Sequence, residues 1–540
     1  MKKTRSSPHR RIPGGVGVAR SFLLGLPALA ISLAAVPWIP CQTASAAGQA
    51  EHAVIVVWDG LRPDMVNASN TPTLEKLRLG GTFFSRHHAV YPSTTEVNGT
   101  ALATGMYPAG SGIIGNREFR PKLNPAEPVA TESLEAIRRG DELTGGKYLA
   151  VPTIYEMVQA VGLPTMVAGT KPVAVLADRS GDRSTGASAK SQNVFAGKSL
   201  PPSLLADIES SHGKFPEKPT FPDVPQNAWT VQVLLGNLWK DGVPKLTLLW
   251  MSDPDFTQHD SQPGSTPALA SLRENDKLLE DLLDALEKKG VREKTDILLV
   301  SDHGFSTIDK SVDTAGLLAE AGFRATRKFT RAPESGEILV VSNGGSDFFY
   351  VVDHDRETTR RLVGFLQQCG LCGVIFSSSG LPGTFDLAAA RINSPDAPDV
   401  VASFQWNSSP NASGVNGLIV ADAASVKKQG QGMHGSLSPY DMHNTLIANG
   451  PDFRAGFVDD LPSGNVDVAP TVLWILGIPP AHKIDGRILV ESLRNPPFPA
   501  GPVRENTLSS ENGRWHQYLK TSSVGETQYL DEGNSGPRKD

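Results

Sequence analysis

Three segments of this chain share one design, a short continuous apolar run that stops at an acid. HAVIVVWDG (52–60), KLTLLWMSDPD (245–255) and DILLVSDHG (296–304) each read as a strand without a polar face. A strand apolar on both faces needs cover on both sides, the situation of a parallel sheet held between helix layers. Helical stretches lie among them, TPTLEKLRLGG (71–81) and the strongly amphipathic ALASLRENDKLLEDLLDALEKKG (268–290). This alternation predicts an α/β fold with a doubly wound, mostly parallel central sheet flanked by helices. In such sheets the ligand site gathers outside the carboxyl ends of the strands, where these acids emerge.

The chain has 540 residues and is long enough for a large core in one domain with insertions or in two or three domains. A basic stretch (Lys2, Lys3, Arg5, Arg10, Arg11) precedes the apolar run SFLLGLPALAISLAAVPWIP and the small residues TASAA. That pattern predicts a signal peptide over 1–46, cleaved near Ala46 or Ala47, and export to the periplasm or medium. An uncleaved anchor is the alternative, disfavoured by two prolines in the run. Residues 1–46 hold six Lys/Arg and no Asp/Glu, so their removal takes the formal net charge from −6 to −12. An acidic surface argues against nucleic acid as a structural partner, and no membrane association is expected after cleavage. With Cys41 lost, Cys369 and Cys372 in QQCGLCGV remain. In an exported chain they are read as a local disulfide without a catalytic role.

Residues 120–145 and 175–230, rich in Pro, Gly and charge, read as long loops. Residues 311–430 carry their own signals (EILVVSNGG, DFFYVVD, RETTRRLVGFLQQCG, GLIVADA) and read as an inserted accessory or cap lobe. The remainder divides into a catalytic domain over 47–310 and 431–500, with NVDVAPTVLWILGIPP (465–480) as a buried helix, and a C-terminal extension over 501–540.

The possible ligands at strand ends are Asp59 in WDG, Asp255 and His259 in PDFTQH, Asp302 and His303 in SDHG, and His434 in GMHGS. Singly, each is ordinary as a turn or capping residue. Together, three Asp and three His supply six N/O ligands, enough for two zinc ions when a hydroxyl completes a shell. Two such ions about 4 Å apart can clamp an in-line displacement at phosphorus and activate a hydroxyl nucleophile. YPSTTEVNG (91–99) offers that hydroxyl just ahead of the apolar run ALATG. Ser93-x-x-Glu96 also fits a capping box at a helix N-terminus, where free N–H groups favour an anion.

The ordered set WDGLRPD (58–64), TPTLEKL (71–77), YPSTT (91–95), TG-x-YP-x-x-x-GIIGN (104–116), PDFTQH (254–259), SDHGF (301–305) and HGSLSPYDMHNTLIANGPDF (434–453) resembles the alkaline phosphatase superfamily. Within it the nearest branch is the nucleotide pyrophosphatase/phosphodiesterase (type I phosphodiesterase) family, and VDVAPTVLWILGI…DGR (466–487) is similar to the superfamily's closing segment. The resemblance implies an alkaline-phosphatase-like fold and a two-zinc hydrolase of phosphoester bonds in small-molecule substrates, first of all a phosphodiesterase. An exported phosphate monoesterase is the alternative. Asp59, Thr95, Asp302 and His303 would surround one Zn2+, and Asp255, His259 and His434 the other. Thr95 would be the nucleophile, forming a phosphothreonine that water then cleaves, and Asn116 would hold a non-bridging phosphate oxygen. Two departures stand out. Glu96 follows the nucleophile where nucleotide-cleaving relatives usually carry an aromatic that holds the base. Lys171 in AGTKPVAV (168–175) falls in a region comparable to the Lys-x-Arg phosphate clamp of some bacterial alkaline phosphatases, with Val173 in place of the arginine. Lys171 is therefore either a substrate-phosphate contact favouring monoesters or a surface lysine.

Other side chains take lesser parts. His87, His88 and His443 are expected to be structural, and Asp253 and Asp260 to orient the loop around Asp255. Arg62 could pair with an acid near the site. The Asn-x-Ser/Thr sequences at Asn67, Asn98, Asn407 and Asn411 carry no weight in a bacterial host, which the leader suggests. A sulfatase would need a Cys or Ser in C/S-x-P-x-R, absent at 91–96, and the superfamily's mutases are usually cytosolic and bind manganese. A degenerate binding protein should have lost ligands or nucleophile, and all seven residues are present.

Overall fold

Residues 48–179 and 188–536 are described by the structure, a computed structural model. The predicted leader lies outside these residues. Among the described residues no helix is long and apolar enough to cross a membrane.

Nine strands form the central sheet: β1 (His52–Trp58), β2 (Thr82–Phe84), β3 (Thr165–Gly169), β4 (Gln192–Phe195), β5 (Lys198–Leu200), β6 (Leu246–Met251), β7 (Thr295–Val300), β8 (Leu446–Asn449) and β9 (Phe457–Asp459). Their order is β9-β2-β8-β7-β1-β6-β3-β4-β5. The inner run β7-β1-β6-β3-β4 is parallel, while β8 joins β7 antiparallel and β5 folds back on β4. The doubly wound, mostly parallel sheet expected from the apolar runs is present. β1 shows why its sequence has no polar face. Ala53, Ile55 and Val57 pack into one helix layer, whereas Val54, Val56 and Trp58 pack into the other. Burying each such aliphatic side chain stabilises by roughly 1.5–3 kcal/mol.

The flanking helices follow from their sequences. Helix Thr266–Lys288 starts where Ser265 Oγ accepts from the Ala268 N–H, and Leu272, Leu279, Leu282 and Leu286 form its buried stripe. On that side it shares a core with Leu74 and Leu77 of helix Pro72–Gly80. Across the sheet, helix Thr95–Thr104 and helix Val468–Ile475 are buried on nearly every face.

Two expectations are corrected, the loops over 120–145 and 175–230 and the pairing of Cys369 with Cys372. The segment over 120–145 and 175–230 is not loop throughout: it contains helices Leu134–Thr144, Leu204–His212 and Val224–Val233, and β4 and β5 extend the central sheet. Short, polar-flanked strands such as QNVF and KSL carry too little periodicity to be read alone. Residues 325–404 contribute a separate six-stranded sheet with helix Arg356–Leu366 against it. The last segment is a three-stranded antiparallel meander, Val503–Asn512, Trp515–Val524 and Thr527–Ser535. Cys369 and Cys372 are free thiols rather than a disulfide. Cys369 points back along the helix it follows, donating to the Leu366 carbonyl at 3.3 Å, while Cys372 is buried in strand Cys372–Ser377.

Candidate metal centre

Strand register brings the acids together. Trp58 pairs with Met251 and Val57 with Val300, so the three chains leave the sheet side by side. The Asp59 N–H donates to the Met251 carbonyl (3.2 Å) and the Asp255 N–H to the Asp59 carbonyl (2.9 Å). Gly60 donates its N–H to Asp302 Oδ1 at 3.0 Å. Gly60 has φ +71, and a Cβ there would stand 2.9 Å from the Phe305 ring, so the turn after Asp59 requires glycine.

Each carboxylate uses one oxygen for the protein and leaves the other without a hydrogen-bond donor. Asp59 Oδ2 accepts from Trp250 Nε1 (2.9 Å) and Lys171 Nζ (2.9 Å), Asp255 Oδ2 from Lys171 Nζ (2.6 Å), and Asp302 Oδ1 from Gly60. The buried atoms Asp59 Oδ1, Asp255 Oδ1 and Asp302 Oδ2 have no hydrogen-bond partner. The histidines mirror this arrangement. Nδ1 of His259 meets the Gly432 carbonyl at 3.0 Å, Nδ1 of His303 the Gly304 carbonyl at 2.8 Å, and Nδ1 of His434 the Ser93 carbonyl at 2.8 Å. A carbonyl only accepts, so each Nδ1 carries the proton and each Nε2 presents a lone pair.

These lone pairs face the orphaned oxygens. His303 Nε2 lies 3.2 Å from Asp302 Oδ2 and 3.5 Å from Asp59 Oδ1, while Asp255 Oδ1 lies 3.2 Å from His259 Nε2 and 3.4 Å from His434 Nε2. Acceptor facing acceptor in a buried site is unfavourable unless a cation lies between them. Two groups could hold metal ions: Asp59, Asp302 and His303, and Asp255, His303 and His434. His303 belongs to both, and His259 joins the second through Asp255. The donor set, oxygen and imidazole, fits zinc.

The electrostatics agree. Burial, with Asp302 and Asp255 nearby, pushes Asp59 well above the usual carboxylate range, and burial carries Asp302 up to about 7. Burial also opposes ionisation of Asp255, yet Lys171 and His259 hold it well below its ordinary value. Burial lowers His303 and His434 to about 3, which keeps both imidazoles neutral. The cluster thus holds more acid than its own cations balance.

Thr95 opens helix Thr95–Thr104, and its hydroxyl lies 3.3 Å from His303 Nε2, which can only accept, so Thr95 donates. The expected capping box is absent. Thr94 is the N-cap residue but makes no side-chain cap hydrogen bond, and Ser93 Oγ donates to the Ser436 carbonyl at 2.9 Å. Instead Asn116 Oδ1 accepts the Glu96 N–H at 3.1 Å. Asn116 also lines an adjoining cavity of about 400 Å³, together with Thr94, His259, His434, Arg327 and Asn343. Glu96 is buried against Glu132, a partner that its capping reading gave no reason to seek; burial and Glu132 raise its carboxyl.

Lys171 is not a surface residue: its side chain is 12% exposed and its ammonium lies on Asp59 and Asp255. Trp250 was not legible as a site residue, because its indole reads as core. Asp253 accepts from the Thr257 N–H and hydroxyl (3.1 and 2.7 Å), so it does orient the turn around Asp255. Arg62 pairs with Asp64 rather than with Asp59, Asp255 or Asp302.

Residues 53–437 match the model of the family described as type I phosphodiesterase / nucleotide pyrophosphatase. The chain belongs to this family. Human ectonucleotide pyrophosphatase/phosphodiesterase family member 1 is 27% identical over 251 residues, covering 46% of this chain and 22% of that protein. A venom phosphodiesterase of Naja atra is 23% identical over 262 residues, covering 47% of this chain and 26% of the venom protein. The chain thus spans about a quarter of the length of these curated phosphodiesterase-family relatives. Human ectonucleotide pyrophosphatase/phosphodiesterase 5 superposes with TM-score 0.54 at 16% identity, covering 82% of this chain and all of that one. An inactive variant of the murine protein in complex with AMP superposes with TM-score 0.53 at 15% identity, covering 80% and 96%. At these identities the likeness shows a shared fold.

Proposed function

We propose that this protein is a metal-dependent phosphoester hydrolase, a phosphodiesterase acting through a phosphothreonine on Thr95 with two Zn2+. One observation carries the reading: three donor-less carboxylate oxygens and three imidazole Nε2 atoms converge beside the Thr95 hydroxyl. Asp59, Asp302 and His303, with Thr95, would hold one ion, and Asp255, His259 and His434 the other. Bound zinc supplies Lewis acidity, polarising the phosphoryl group and lowering the pKa of a hydroxyl.

The chain's own residues supply the rest. Thr95 Oγ1 attacks phosphorus, the P–Oγ bond forms, and the bond to the first alcohol breaks as that alcohol leaves. Water then attacks the phosphothreonine, restoring the Thr95 hydroxyl and releasing the phosphomonoester. Asn116, steered by its bond to the Glu96 N–H, offers Nδ2 to a non-bridging oxygen. The N-terminus of helix Thr95–Thr104 adds backbone donors and a favourable dipole beside the same charge.

Diester cleavage is favoured over the monoesterase alternative, since a clamp for a monoester's extra charge needs a cation free to reach substrate. The Lys171 ammonium is engaged by two acids. Glu96 and Glu132 occupy the neighbourhood where a base-holding aromatic would stand, which supports a polar alcohol group there over a stacked base. The lobe over 311–430 walls the cavity beside His259 and His434 through Arg327 and Asn343, as a cap would. The leader-like sequence over 1–46 supports export. The deciding experiment compares kcat/KM for p-nitrophenyl phosphate and a nucleotide p-nitrophenyl diester on the same zinc-loaded protein. Diester preference is expected, and a monoester preference of tenfold or more, about 1.4 kcal/mol, would transfer the reading to the alternative.

A further inference from the structure

Lys171 stands in a place that substrate binding does not explain. It follows β3, in a turn fixed by the Thr170 N–H on the Trp250 carbonyl (2.9 Å) and by the Thr170 hydroxyl on Asn227 Oδ1 (2.9 Å). From there its ammonium reaches Asp59 Oδ2 at 2.9 Å and Asp255 Oδ2 at 2.6 Å, one carboxylate from each candidate ligand group. It takes the oxygens that face away from the histidines and leaves both Oδ1 atoms directed at the imidazoles. Among the described residues it is the one Lys or Arg ion-paired with Asp59, Asp255 or Asp302.

Three acids gathered in a dry site repel one another. Without ions, a resident positive charge relieves that repulsion while leaving the carboxylates ionised, and a lysine tied between two of them supplies it.

We propose that Lys171 is a built-in counter-cation that pre-assembles the metal centre, holding Asp59 and Asp255 in ligand-ready positions before any ion arrives. It is a positioning residue, acting through the carboxylates. The inference rests on the metal-centre reading above. Its consequence is a division between two states: the ion-free fold depends on Lys171, whereas the ion-loaded fold, with its acids neutralised by metal, depends on it much less.

The test is the melting temperature of wild-type protein, Lys171→Met and Lys171→Arg, each measured after chelation and again with excess zinc. Lys171→Met keeps the apolar stem and removes the charge, and Lys171→Arg keeps the charge. Stripped of metal, Lys171→Met is expected to melt about 3–5 °C below wild type, as loss of a buried ion-pair partner in a chain this long implies. With zinc the two should agree to about 1 °C, and Lys171→Arg should follow wild type in both states. Lys171→Met protein that accumulates only when zinc is supplied would be the same result in stronger form. Equal losses with and without zinc, insolubility under both conditions, or no loss in the stripped protein would overturn the role. If wild-type protein binds no zinc at all, the metal-centre reading fails by itself, while the stripped-protein comparison still reports on Lys171.

Discussion

The molecule holds two clusters of three histidines, and their difference separates chemistry from architecture. In the site cluster, His259, His303 and His434 spend Nδ1 on backbone carbonyls and leave Nε2 facing donor-less acids. In the second, His87 has both nitrogens occupied, by Ser463 Oγ at 3.0 Å and Asn465 Oδ1 at 2.9 Å. His88 meets the Ser463 carbonyl at 2.9 Å and Asp531 Oδ1 at 2.8 Å, with its ring 4.5 Å from that of His443. Both clusters are largely buried, and burial lowers His87 and His443 to about 3, as it does His303 and His434. Burial alone does not distinguish them. What does is what the second nitrogen faces: carboxylate oxygens that have no hydrogen-bond donor in the site, against Asn465 Oδ1 or an Asp531 oxygen already bonded to the Ser522 hydroxyl in the second cluster.

Four perturbations test this contrast, beginning with the largest effect. Thr95→Ala should reduce turnover of a chromogenic diester by more than about 1,000-fold through loss of the nucleophile, with bound zinc retained on metal analysis. Activity within a few-fold of wild type would remove Thr95 from the chemistry. His303→Ala, which takes a ligand from both groups, should weaken zinc binding at least about 100-fold in a chelator competition, whereas His87→Gln should leave it unchanged. Comparable zinc loss in both variants would erase the distinction.

The third perturbation is acid. Neutral buried histidines with folded pKa near 3 and an unfolded value near 6.5 bind fewer protons folded than unfolded between those limits. Stability must therefore fall as pH drops from 6.5 toward 3, by up to about 1.4 kcal/mol per pH unit for each such histidine. Removing His87 as His87→Gln should flatten the decline by one proton's worth in melting scans from pH 4 to 7. An unchanged slope would show that His87 titrates in the fold. The smallest effect is expected for Asp531→Asn, which weakens the tie from the C-terminal meander to His88. A fall in melting temperature of about 1–3 °C, with zinc content and kcat unchanged, should follow.

The legible part of this protein was the part written in a repeating physical code. Strands buried on both faces must be apolar throughout, so β1, β6 and β7 and the acids at their ends could be placed from sequence, along with the helix over 266–288. Asp59, Asp255, Asp302 and His303 followed because each lies within a few residues of such a strand end, whereas His434 follows only the two-residue strand Gly432–Met433. Features set by contacts distant in sequence were not legible. Ser93 and Glu96 have capping-box spacing, yet Ser436 and Asn116, contributed from elsewhere in the chain, take up the groups the box would have used. The Lys171 ammonium lies between acids 112 and 84 residues away, and no local pattern encodes that bridge. Cys369 and Cys372 have disulfide-like spacing, but one lies three residues past a helix end and the other opens a strand. The polar strands β4 and β5 and the terminal meander lacked the apolar runs that revealed the inner sheet.

The most direct test of a metal-assisted threonine mechanism is a zinc titration of chelated protein, following hydrolysis of bis(p-nitrophenyl) phosphate. Activity should be absent without metal, rise with added zinc and level off near two equivalents per chain, and the Thr95→Ala protein should bind the same zinc without turning over. Full activity in the metal-free protein, or a Thr95→Ala protein that follows the wild-type curve, would contradict it.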